Sequence, residues 1–141
     1  MEQKPVFIRS EKGKHSKTKG KINVYIDAQL TYQLLEYVAS DKARMREFDK
    51  RINYLVQGIA NSEIYKKENF KDDIDVWAIR IMGGKKGGKL NDRMYCKQYE
   101  VNGIKHIIIG YIYEGKKTNH LTEELRNIIS IVNNYEYKIE E

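Results

Sequence analysis

A chain of 141 residues with 40% hydrophobic and 33% charged side chains can bury one core, and its balance excludes a fibrous or wholly disordered polymer. No apolar run approaches the length of a bilayer span, and the single cysteine, Cys96, excludes an internal disulfide or a thiolate-cluster zinc site. The net charge of +6 is concentrated in two stretches, residues 1–21 with seven Lys/Arg against two Glu and residues 80–97 with six against Asp92 alone. Such a surface gains free energy by releasing the counterions condensed on a polyanion, so nucleic acid or an acidic protein is the expected class of partner.

The N-terminal residues KPVFIR lack the apolar stretch of a secretory leader, so the expected location is the cytoplasm, with no membrane partner. Pro5 to Ile8 and Lys21 to Ile26 have strand composition, and the EKGKHSKTKGK segment between them has no large apolar side chain and reads as a basic arm. Asp27 can cap a helix in which Leu30, Leu34, Tyr37 and Val38 share a face. After Ser40 and Asp41, the residues Met45, Phe48, Ile52, Leu55 and Ile59 repeat at spacings of three and four, which predicts a second helix. So short a break makes the two an antiparallel hairpin.

From Asp75 the period changes to two: Trp77, Ile79 and Ile81 alternate with Val76, Ala78, Arg80 and Met82, as a strand requires. GGKKGGK follows as a turn, and it lacks the spacing and the Ser or Thr of a phosphate-binding loop. A strand over Arg93 to Glu100 leads to the tight-turn pair Asn102-Gly103 and then to Ile104 to Tyr113, apolar on both faces and therefore central. Thr122 can cap a last helix whose first turn holds Glu123 and Glu124 and whose buried stripe is Leu125, Ile128, Ile129 and Val132. The expected fold is α+β: a helical hairpin packed on a small antiparallel β-sheet with a C-terminal helix over residues 21–141, preceded by a basic extension over residues 1–20.

This order of elements resembles the RelE/ParE superfamily of toxins from toxin–antitoxin pairs, over roughly Lys21 to Tyr137. VWAIRI (76–81) is similar to the family strand that ends in a basic residue, and RMYCKQY (93–99) to the next strand, which starts with Arg and an aliphatic or aromatic pair. HIIIGYIYEGKKTNHLTEEL (106–125) resembles the last strand, Lys-Lys-Thr turn and acidic helix start of the HigB-like branch, with Tyr135 where that branch has an aromatic residue. Leu121 and Thr122 stand where members commonly have Thr-Pro, and both the N-terminal extension and the long glycine-lysine loop are departures. These leave the branch and its target open.

The resemblance implies a ribosome-dependent, metal-independent mRNA endoribonuclease, with no cofactor and with a cognate antitoxin protein as partner. Under that reading Arg93 grips the scissile phosphate, since its planar fork donates two hydrogen bonds at once, although an ordinary surface arginine is the competing explanation. Lys116 or Lys117 stabilises the transition state, against the alternative of a solvated lysine pair, and His120 serves as acid or base. Arg80, Lys85, Lys86, Lys89 and Lys97 extend the RNA-binding surface, and Tyr113, Tyr135 and Tyr137, from a total of eleven tyrosines, offer stacking near the cleft. His106 reads as a structural histidine, His15 belongs to the basic arm, and Asp72, Asp73 and Asp75 read as a solvated acidic loop. Two other readings stay open: a ParE-like protein that poisons DNA gyrase by binding, and a non-catalytic nucleic-acid-binding protein on the same scaffold.

Overall fold

The computed structural model describes residues 3–11, 20–83, 90–116 and 121–139. Strands β1 (Pro5–Ser10) and β2 (Ile22–Asp27) are followed by a short 3-10 turn, Ala28–Leu30, and by helices α1 (Thr31–Ser40) and α2 (Lys42–Val56). Then come β3 (Tyr65–Lys67), β4 (Trp77–Gly83), β5 (Leu90–Val101), β6 (Ile104–Tyr113) and α3 (Glu123–Asn133). The strands form one sheet in the order β1-β2-β6-β5-β4-β3. Every pairing is antiparallel except β2 with β6. The expected purely antiparallel sheet is therefore corrected to a mixed one. The reason is the connection: β2 returns to its neighbour β6 only after the helical hairpin and three further strands, and such a long crossover permits a parallel pair.

The two faces of the sheet are covered by different helices. Under the hairpin, Ile79 and Ile81 of β4, Met94 and Cys96 of β5 and Ile107 and Ile109 of β6 meet Tyr37, Phe48, Ile52 and Leu55. On the other face, Val76, Ala78 and Tyr95 meet Leu125, Ile128, Ile129 and Val132, the stripe that periodicity predicts for α3. Burial of each such side chain contributes about 1.5–3 kcal/mol, enough to hold an 11-residue helix that would not persist alone. As expected, β6 is central and buried on both sides. Asn102 and Gly103 turn the chain with positive φ, and Val101 pairs with Ile104 across them.

Two residues of the predicted α2 stripe lie outside the core. Met45 is 54% exposed because the first half of the helix docks through Ala43, Arg44 and Glu47 instead. Ile59 is 61% exposed because α2 ends at Val56, short of it, with Gly58 at positive φ. Asp27 accepts from the Gln29 amide, as a cap should, but opens the 3-10 turn that precedes α1. The short edge strand β3 is additional to the expected elements. Among the described residues, no helix is long and apolar enough to cross a membrane.

Register in β6 decides which side chains share the α3 face. Tyr95 pairs with Tyr111 and Cys96 with Ile109, so Gly110 is an extra residue, a β-bulge. The bulge sends Tyr111 and Tyr113 to the α3 face and Ile112 to the hairpin face. Glycine fits the position because a Cβ would lie 3.1 Å from the Tyr137 hydroxyl and 3.4 Å from both Val132 and Tyr135.

Candidate active site

Basic side chains from neighbouring strands converge beside the start of α3. Lys66 of β3 pairs with Ala78 of β4 in the ladder, and Arg80, two residues on, pairs with Arg93 of β5. Lys116, just beyond β6, joins them, and Glu68 and Leu121 complete the wall of a hollow of about 170 Å³. A drug-sized pocket usually encloses roughly 300–1,000 Å³, so this one suits a small anionic group. Glu68 is placed by its backbone, whose N–H donates to the Val76 carbonyl at 2.8 Å and draws together the ends of the intervening loop.

Arg93 is only 3% exposed, which removes the reading of a solvated surface arginine. Its Nη1 donates to Asn91 Oδ1 at 2.7 Å and to the Asp92 carbonyl at 3.0 Å. Burial, and then the like charge of Arg80, pull the guanidinium below its usual value, though an arginine stays protonated. Burial pushes the Glu68 carboxyl above the ordinary carboxylate range, while Lys116, Arg93, Lys66 and Arg80 oppose that shift. For Lys116, burial and then Arg93 lower the ammonium, with Glu68 opposing. One acid is thus raised and one base lowered within the same hollow, which brings both nearer to neutrality.

The turn that carries Lys116 is gripped from both faces of the sheet. On the α3 face, the Lys116 N–H donates to the Asn91 carbonyl at 2.7 Å, and the Asn91 side-chain amide donates to the Lys116 carbonyl. On the hairpin face, the Gly115 N–H donates to Asp92 Oδ1 at 2.8 Å. Asp92 is buried and also accepts from the Tyr37 hydroxyl at 2.6 Å and from Arg44 Nε at 3.1 Å.

No protein-family model, curated protein or solved structure matches the chain. The site therefore rests on its own geometry.

Of the residues singled out in the sequence, Arg80, Arg93 and Lys116 line this one hollow. Tyr113 stands opposite Arg93 in the ladder, half-buried. Lys97, Tyr135 and Tyr137 instead line a separate hollow of about 410 Å³ with Asn133 and Asn134, at the far end of α3. Of the three tyrosines expected near the cleft, Tyr113 is beside Arg93, whereas Tyr135 and Tyr137 lie away from it, and these two and Lys97 have structural contacts of their own. Lys97 Nζ donates to the Asn133 carbonyl at 2.9 Å, where the helix dipole is negative. The Tyr137 hydroxyl donates to Asp27 Oδ2 at 2.7 Å, in the interior, and Tyr135 packs edge-to-face on Tyr137. Lys85, Lys86, Lys89, Lys117, His120 and His15 lie outside the described residues.

His106 is buried with its Nδ1 2.9 Å from the Tyr25 hydroxyl, a structural contact as read from the sequence. Asp72, Asp73 and Asp75 are exposed. Among the described residues, no group of His, Cys, Asp and Glu could hold a metal ion. Sequence reasoning missed Lys66, Glu68 and Asn91. The strand-like pair Ile64-Tyr65 before Lys66 was the available signal for β3. Nothing in the sequence singled out Glu68, which sits in the solvated-looking run KKENFKDD.

Proposed function

We propose that this protein is a ribosome-dependent mRNA endoribonuclease of the RelE/ParE kind, the toxin of a toxin–antitoxin pair, held inactive in the cytoplasm by an acidic partner. The observation that supports it best is the convergence of Arg80, Arg93, Lys66 and Lys116 around a single carboxylate, Glu68, in one small hollow.

Each step of RNA cleavage by its own 2′-hydroxyl finds a group there. The Glu68 carboxylate takes the proton from the 2′-hydroxyl, and the oxygen attacks phosphorus. Arg93, with Arg80 and Lys66, binds the phosphoryl oxygens as negative charge gathers on them. The bond from phosphorus to the 5′-oxygen breaks, and the Lys116 ammonium gives that oxygen its proton. The products are a 2′,3′-cyclic phosphate and a 5′-hydroxyl. Tyr113 supplies an aromatic edge beside the phosphate for an unpaired base.

Expression of the full chain in a translating extract tests this. Codon-phased cleavage of message is expected, and it should be lost in the double variant Arg93→Ala with Lys116→Ala, whose circular dichroism should match the parent. Gyrase-dependent DNA breaks in place of message cleavage establish the ParE-like reading. Neither activity leaves a non-catalytic nucleic-acid-binding protein.

A further inference from the structure

Asn91 touches both residues on which the proposed chemistry depends, Arg93 at its guanidinium and Lys116 at its backbone, and its identity is explained by what it touches. Its Oδ1 accepts from Arg93 Nη1 at 2.7 Å, while its Nδ2 donates to the Lys116 carbonyl and its own carbonyl accepts from the Lys116 N–H at 2.7 Å. A carboxamide carries an acceptor and a donor on two separate atoms of one short side chain. An aspartate lacks the donor, and a serine hydroxyl has one oxygen to serve both partners. The reverse amide orientation would set an N–H against the guanidinium and an oxygen against the Lys116 carbonyl, so the network fixes the assignment. The backbone pairing alone would place the turn. The side chain adds a link from that turn to the arginine.

Such a link has work to do. Arg93 disfavours the charge on Lys116, Arg80 disfavours the charge on Arg93, and burial disfavours both. Without a tether, a lysine in a turn and an arginine at a strand position relax by swinging toward water. A half-ångström displacement at a phosphate site is costly, because the donors must already stand where charge will develop.

We propose that Asn91 is a positioning residue, a clip that holds the Arg93 guanidinium and the Lys116 turn in one fixed relation so that both meet the same phosphate. This rests on the reading of the hollow as a phosphate-cleaving site. The adjacent Asp92 grips the same turn through Gly115 from the opposite face, so the clip closes a frame already held on one side.

The test follows the purified full chain by NMR during titration with inorganic phosphate, reading the Arg93 Nε–Hε signal and the Lys116 amide, and pairs this with message cleavage in the extract. Asn91→Leu should weaken phosphate binding by about tenfold or more. It should also lower the cleavage rate at saturating ribosomes far more than it shifts the half-saturating concentration. Asn91→Asp keeps the acceptor and loses the donor, so it should retain the Arg93 signal of the parent while the Lys116 amide moves. It also serves should Asn91→Leu fail to fold. Phosphate affinity and Arg93 signal unchanged in Asn91→Leu, or both probes moving together in Asn91→Asp, overturn the clip even where the parent cleaves message. A parent that binds phosphate but cleaves nothing sinks the ribonuclease reading, and the clip is then judged on the phosphate titration alone. A parent that binds no phosphate at the hollow overturns both.

Discussion

Asp92 and Arg93 are consecutive residues of one strand, and the alternation of the strand sends them into two different solutions to the same problem. Asp92 enters the hairpin side and is fully paired: Tyr37, Arg44 and the Gly115 amide all donate to it, and Arg44 reaches on to Glu114 at 2.9 Å. Arg93 enters the α3 side, where Lys66, Arg80 and Lys116 share a hollow with one carboxylate. Both charges are nearly inaccessible, at 1% and 3% exposure. One face neutralises what it buries and the other retains a positive surplus. A surplus held in a partly desolvated hollow contributes nothing to stability, so under the proposed function the contrast is between a structural charge and a binding one.

Substitutions at the two neighbours should therefore have opposite signatures. Asp92→Ala strips the buried one of the two carboxylate partners from the Arg44 guanidinium and leaves the Tyr37 hydroxyl and Gly115 amide unsatisfied, so a loss of about 3 kcal/mol is expected in denaturant unfolding. A loss below about 1 kcal/mol would show that Asp92 is not the keystone of the hairpin side. Arg93→Met at low salt should change stability by no more than about 1 kcal/mol, in either direction, because it removes a like-charge contact along with two hydrogen bonds. The same variant should lose phosphate binding. A large destabilisation with phosphate affinity preserved would reverse the assignment of the two faces.

Glu68 sharpens the contrast through pH. Its carboxyl is raised in the folded chain, so the native state holds a proton where the unfolded chain has already released it. Stability should therefore fall as pH rises from the ordinary glutamate range through the raised value, then level off, and Glu68→Gln should abolish that segment of the curve. Message cleavage needs the ionised form and should run the other way, falling as pH drops through the same raised value. Unfolding midpoints and cleavage rates measured across the acid range check both signs. A cleavage limb at the ordinary carboxylate position, or one that survives Glu68→Gln, removes this residue as the base.

How much of this was legible in the sequence follows from which distances matter. The strand over residues 93–100 and the α3 stripe depend on contacts a few residues apart, and their periods announce them. The pairing of Arg80 with Arg93 was half-legible, since two strands joined by a glycine-rich turn are expected to lie side by side. The β2–β6 parallel pair was not, because its partners are more than eighty residues apart and β2 does not differ in composition from an antiparallel strand. Glu68 and Lys66 enter through the edge strand β3, three residues long and too brief to show a period. The bulge at Gly110 was not legible either: strict alternation along β6 would put Tyr111 and Tyr113 with Ile107 and Ile109, and one unpaired glycine reverses that. Lys97, Tyr135 and Tyr137 looked functional by type, but α3 stands between them and the hollow. Its 11 residues rise about 1.5 Å each.

The smallest expected effect tests whether the surplus charge acts as a field or as a set of fixed bonds. Lys66 is the exposed member of the group, on the edge strand, and a flexible ammonium there acts as a point charge. Lys66→Ala should therefore weaken binding of any RNA by a similar factor whatever its sequence, and should lower the slope of log affinity against log salt by about one unit. Arg93→Met should reduce affinity by more and leave a remainder that extra salt affects less. If Lys66→Ala instead changes which sequence is preferred while the salt slope stays put, Lys66 touches a base and not a phosphate. The basic side of the sheet would then be reading sequence directly, and the division between a structural face and an electrostatic one would have to be redrawn at β3.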